Sequence, residues 1–232
     1  MRSSSLASTR RDLQRVATHI LARRRHSVSG RFGLRATPGG IGTPAFGPSD
    51  ALEVVRTSGT ALVHELGERL RVVPMEGATL MDLASLVDVD LTSDFDVGKD
   101  TLEVGDATAP LLLDATVVAD LADWFDLGWR ALDVIGLTAA SPAPAQLWPE
   151  HFDASCQVAI GPGPDDRCDV GVSPGDDHHD EPYLYVGPWV TRRPGDPEYW
   201  NASFGAVLAR SSTGTVDDAV AFLREGLSRL SG

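Results

Sequence analysis

Two stretches of alternation constrain this 232-residue chain more than anything else in it. Phe152, Ala154, Cys156, Val158 and Ile160 occupy every second position, GPGPDDR follows, and Cys168, Val170 and Val172 resume the period. Side chains of a strand point to opposite faces in turn, so two runs of one parity around a turn predict an antiparallel hairpin with a single buried face. Residues 182–186 and 203–208 predict further strands, and residues 52–74 a three-strand meander turning at Ser58-Gly59 and Gly67-Glu68. The segment ALVHELGERL within that meander also fits a short helix. Upstream, RFGLRATPGGIGTPAFG reads as a strand at 31–36, a turn at 37–40 and an extended piece at 44–47.

Three long segments carry helical spacing instead. In 9–25, Thr9 and Asp12 have capping-box spacing, and Leu13, Val16, Ala17, Ile20 and Leu21 form one apolar stripe. In 115–135, Val118, Leu121, Phe125, Leu132 and Ile135 form the core stripe, broadened by Val117, Trp124 and Trp129. Asp120, Asp123, Asp126, Arg130 and Asp133 mark the solvated face of that helix, and Gly136 is expected to end it. In 215–230, Thr215 and Asp218 repeat the capping pattern ahead of Val216, Val220, Leu223, Leu227 and Leu230. Thr79 and Asp82 cap a short helix reaching about Val87, and 88–108 is an acidic loop with room for one strand at 101–104.

The chain lacks regular β-α-β alternation, so the expected fold is a single α+β domain over residues 1–232, an antiparallel sheet packed against the three main helices. The sheet can fall into two related halves, about 1–110 and 111–232. Ala36-Thr37-Pro38-Gly39, then Pro44 and Gly47, resembles Val172-Ser173-Pro174-Gly175, then Pro182 and Gly187. At 42% hydrophobic residues the chain can bury a core without staples, and no apolar run is long enough for a membrane helix.

Charge is spread unevenly. Residues 1–36 hold nine arginines and one acid, Asp12, within a chain of formal net charge −13. A basic helix can grip a nucleic-acid backbone, but a body this acidic repels phosphate, so docking of the helix on its own acidic body is the expectation. Lys99 is the only lysine, which excludes a Walker-type phosphate cradle. The N-terminal segment is Arg- and Ser-rich like a transit peptide, yet its apolar stripe suits a core helix, and it has no secretory h-region. Cys156 and Cys168 are then expected as buried free thiols in a cytoplasmic protein.

Chemistry concentrates in the last third. Asp176, Asp177, His178, His179, Asp180 and Glu181 run consecutively, with His151 and Asp153 upstream. Imidazoles beside carboxylates suit a divalent metal, and His151, Asp153, His178 and His179 are the ligand candidates, although no known ligand spacing is present. There is no G-x-S-x-G elbow and no G-x-G-x-x-G opening a helix. The aromatics Tyr183, Tyr185, Trp189, Trp200 and Phe204 lie close together in sequence, and Tyr183 and Tyr185 would share one strand face. The leading reading is a small-ligand-binding protein, or an enzyme of unrecognised class, with a pocket from His151, Asp153, His178, Glu181, Tyr183, Tyr185 and Trp200. A non-catalytic interaction domain using the basic helix or an acidic face is the alternative, and a divalent-metal-dependent enzyme is a third. No cofactor is assigned.

The words LWPEHFD, SPGD, EPYLYVGPW and Trp-Asn-Ala-x-Phe-Gly-Ala, all within 147–206, resemble an uncharacterised bacterial family familiar from actinobacteria. The resemblance implies an actinobacterial, cytoplasmic setting. It implies no particular activity, cofactor or catalytic residue.

Overall fold

The computed structural model describes residues 2–97, 100–139, 141–177 and 179–231, the side chains of residues 2–4 apart. It is an α+β fold with two five-stranded antiparallel sheets. The chain divides into two units, Met1–Asp123 with Leu147–Phe152, and Trp124–Gln146 with Asp153–Gly232.

The first unit opens on a helix longer than its sequence signals. Helix α1 (Arg2–Val16) runs through a π-helical turn (Ala17–Ala22) into α2 (Arg23–Ser29), and Gly30 at φ 68° ends it. Thr9 and Asp12 do not cap it, because the residues before Thr9 continue the helix. They hold another segment instead: Thr9 Oγ1 accepts from the Asp114 N–H at 3.1 Å and Asp12 from the Leu112 N–H at 2.8 Å. The expected stripe is the buried one, with Val16, Ala17, Ile20 and Leu21 fully enclosed.

Strands β1 (Arg35–Thr37), β2 (Gly40–Gly42), β3 (Glu53–Ser58), β4 (Ala61–Leu66) and β5 (Arg69–Pro74) pair in sequence order. The 61–70 segment is thus strand, turn and strand, the helical alternative losing to cross-strand pairing. Helix α3 (Leu80–Leu86) has the predicted capping box, in which the Thr79 hydroxyl and backbone hold the Asp82 carboxyl below its ordinary range. No strand forms at 101–104.

The arginines of the long helix turn inward. Arg24 grips the buried Glu53 with two bonds of 2.8 and 3.0 Å, and His64 Nε2 lies 2.8 Å from the same carboxylate. Arg23 donates to the carbonyls of Asp90 and Ser93 at 2.8 and 3.0 Å, and Arg15 to those of Val104 and Asp106 at 3.3 and 2.7 Å. Residues 90–93 and 104–106 of the acidic segment therefore lie along the basic helix, held through their carbonyls. His19, between Arg15 and Arg23, is 1% exposed. Burial first, and Arg23 second, push its pKa down to about 4, against the carbonyls of Glu103 and Leu102.

The second unit holds most of helix α4 (Ala115–Thr138), whose expected core residues are buried. Gly136 does not end α4; it sits inside the last turn with open space around it, and the helix stops before Ser141-Pro142. The second sheet runs β10-β9-β8-β7-β6, from β10 (Ala206–Ala209), β9 (Tyr183–Pro188), β8 (Arg167–Ser173) and β7 (Asp153–Ala159) to β6 (Gln146–Trp148). Alternation placed the β7–β8 hairpin correctly: Ala154 faces Val172, Cys156 faces Val170 and Val158 faces Cys168. Both cysteines are free and buried, and burial pushes the Cys168 thiol up to about 12. Helix α5 (Val216–Ser231) starts at the predicted Thr215–Asp218 box. Each half of the chain thus reads long helix, five-strand meander, helix. The two Pro-Gly words do not coincide, since Thr37 ends the first strand of its sheet and Ser173 ends β8, the middle strand of the other. No described helix is long and apolar enough to cross a membrane.

Two predictions follow from packing and burial. A Cβ at Gly128 would lie 2.5 Å from Val172, whereas one at Gly136 would meet nothing within 4 Å. Gly128→Ala should destabilise by about 1–3 kcal/mol through overpacking, and Gly136→Ala should stabilise by about 0.5–1 kcal/mol; urea denaturation checks both. His19 has a folded pKa below its unfolded 6.5, so its contribution is intact above pH 6.5 and lost as pH falls toward 4. The loss should be on the order of 2 kcal/mol. Denaturation curves for His19→Leu should lack that component between pH 6.5 and 4.

Candidate functional site

The second face of this sheet is set by the first, and Gly171, Ser173 and Tyr183 on it are buried in their turn. With Ala154, Cys156, Val158, Cys168, Val170, Val172, Leu184 and Val186 buried on the core side, Asp153, Ser155, Gln157, Asp169, Gly171, Ser173, Tyr183 and Tyr185 share the other side. Register aligns Ser155, Gly171 and Tyr185 across three strands, with Ser173 opposite Tyr183.

Gly171 leaves a gap in the middle of this face that the Tyr185 ring fills. A Cβ there would sit 2.4 Å from the tyrosine Cζ. Lying across the strand in this way, the Tyr185 hydroxyl reaches β7 and donates to Asp153. The Tyr183 ring lies 6.2 Å away at 59°, and its hydroxyl donates to Asp176. Asp176 is delivered by the SPGD turn, where Gly175 takes φ 92° and its N–H is bound by Ser173 Oγ at 3.2 Å. Asp176 also accepts the His179 backbone N–H at 3.1 Å. The His179 ring meets Tyr183 edge-on at 5.5 Å, and its Nδ1 is 2.8 Å from the Glu181 carbonyl. A carbonyl only accepts, so Nδ1 carries a proton. Phe204 closes on Tyr185 at 6.3 Å. Further along, Asp169 accepts from Trp189 Nε1 at 2.8 Å and from Gln157 at 3.5 Å.

Burial raises the pKa of Tyr183, with the Asp176 hydrogen bond adding to it. Burial also raises Tyr185, with the Asp153 charge second. Both hydroxyls are therefore fixed as protonated donors, unsuited to act as bases near neutral pH. What the face offers is carboxylate acceptors framed by aromatic rings.

Of the residues expected from sequence, Asp153, Tyr183 and Tyr185 come together, with His179 against Tyr183. Glu181 lies beside this group but spends an oxygen on the Ser211 N–H at 2.7 Å. Trp200 belongs elsewhere: it donates to the Pro194 carbonyl at 2.9 Å, carries the Arg193 guanidinium at 5.6 Å and packs on Tyr199 at 5.0 Å. Its neighbour Asn201 caps the outer edge of β10, giving and taking a bond with Val207 at 3.0 and 2.8 Å, so that motif word is structural. His151 is exposed in a turn of the first unit, and His178 lies outside the described residues. Among the described residues no three His, Cys, Asp or Glu side chains form a group able to hold a metal ion. Asp169, Gly171, Ser173 and Ser155 were not expected; their alternation parity on β7 and β8, opposite to the buried apolar residues, was the signal.

No protein-family model, curated protein or solved structure matches the chain.

All three tyrosines of the chain are held above their ordinary pKa, Tyr199 by burial and then the Glu225 charge. A group whose folded pKa is raised stabilises fully below its unfolded pKa of 10.0 and loses that contribution as pH rises past it. Absorbance titration should show no tyrosine ionising around pH 10 in the folded protein, followed by one steep step coincident with alkaline unfolding. Tyr185→Phe should make that step shallower.

Proposed function

We propose that this chain is a small-ligand-binding protein, with the tyrosine–carboxylate face of its second sheet as the binding surface. The observation that carries the reading is the Tyr185 ring laid over Gly171 with its hydroxyl committed to Asp153. Tyr183 is 4% exposed and Tyr185 half-buried, so the rings would wall the site, and the carboxylates beside them would accept hydrogen bonds from a ligand rich in N–H or O–H groups. Tyrosines fixed as donors favour binding over proton-transfer catalysis.

Against the competing interaction reading, Arg15, Arg23, Arg24 and Arg25 of the basic helix already bond carbonyls and Glu53 of the same unit. The metal-dependent reading gains no converging ligand set among the described residues. A reducing, cytoplasmic setting suits the two thiols that stay free on neighbouring strands, and the actinobacterial family resemblance belongs to the same proposal.

Native mass spectrometry of the purified protein, with metal analysis, tests it. The expected result is a co-purifying small organic mass that is retained by Trp200→Phe and lost from Tyr185→Phe and Asp153→Asn. A mass retained by the last two variants, or a stoichiometric metal in place of an organic ligand, would overturn the assignment of this face.

A further inference from the structure

Strand β5 is an outer edge of the first sheet, paired only with β4. The Met75 N–H donates to the Thr60 carbonyl at 2.8 Å, which sets the phase of the ladder. Antiparallel alternation then sends the N–H groups of Arg69, Arg71 and Val73 toward β4, and those of Leu70 and Val72 outward. Residues 69–72 are exposed on both faces of the sheet. Leu70 is 65% and Val72 56% exposed, on one face. Arg69 and Arg71 lie on the other. Arg71 reaches the Leu86 carbonyl at 3.3 Å, which leaves its charge in place, and neither arginine has an ion-pair partner among the described residues.

Charge selects what can pair with this edge. A second copy set antiparallel about Arg71 would place Arg71 against Arg71, and like charges directly opposite destabilise a sheet. Set about Val72, it would place Leu70 against Pro74, which has no N–H to give. A strand with carboxylates on the arginine side meets neither obstacle.

We propose that β5 is a docking edge for an extended segment of a partner protein whose residues alternate acidic and apolar. Its main chain bonds to the outward groups of Leu70 and Val72. Its carboxylates lie over Arg69 and Arg71, and its apolar side chains over Leu70 and Val72. The site is separate from the tyrosine–carboxylate face and stands or falls independently of it.

The test titrates the full chain with a fluorescein-labelled octapeptide of alternating Glu and Val, read by anisotropy. It should bind at least about tenfold more tightly than an octapeptide of alternating Lys and Val. Binding should weaken with added salt, and by about tenfold in the double variant Arg69→Glu, Arg71→Glu. Backbone N-methylation of the peptide should abolish it. Equal affinity for the two octapeptides, or undiminished binding by the double variant, overturns the proposal. So does a concentration-dependent dimer in sedimentation that Val72→Pro disperses, since that assigns the edge to a second copy.

Discussion

The second unit depends on two places where a helix has no side chain. Gly128 of α4 lies against Val172 of β8, and Gly226 of α5 against Val186 of β9, at distances where a Cβ would be 2.5 and 2.8 Å from the valine side chains. Helices seated this closely commit Val172 and Val186 to the core. Strand periodicity then leaves Gly171, Ser173 and Tyr185 no choice of face. The tyrosine–carboxylate arrangement is thus a consequence of how the opposite face packs, and Gly171 repeats the device by admitting the Tyr185 ring onto the strand.

The first unit is organised around charge. Glu53 is 2% exposed and receives Arg24 and His64, so helix α2 is joined to β3 and β4 through one carboxylate. Removing one partner of such a buried set leaves an uncompensated charge, which makes it costly to break even where its net stabilisation is small. Arg15 of α1 and Arg23 of α2 serve the acidic segment, binding the carbonyls of Asp106 and Asp90. An irregular segment exposes many backbone acceptors, and guanidinium groups with several donors each are suited to satisfy them.

Local signals were the legible part of the sequence. Capping boxes at Thr79 and Thr215, the 52–74 meander and the β7–β8 hairpin depend on residues within a few positions of each other. The box at Thr9 misled because the same side chains served residues about a hundred positions away. Gly136 misled because a glycine ends a helix only where the chain takes positive φ, and here it does not. β6 is three residues long, too short to show a period, and Leu147 is placed by pairing with Leu34. Of the site, Asp153, Tyr183 and Tyr185 were legible by parity. Trp200 was not, because nearness in sequence to the tyrosines says nothing about which side of a turn a side chain takes.

The two buried carboxylate systems differ in what they leave behind. Arg24 brings a full positive charge to Glu53 and cancels it. A tyrosine hydroxyl brings a hydrogen bond to Asp153 or Asp176 and no charge, and helps fix the position of the carboxylate. Burial is the main reason both tyrosine pKa values are raised, and the neighbouring carboxylates add to it. A carboxylate neutralised by arginine is finished as a recognition element. The face around Tyr185 and the clamp at Glu53 thus hold their carboxylates by different means.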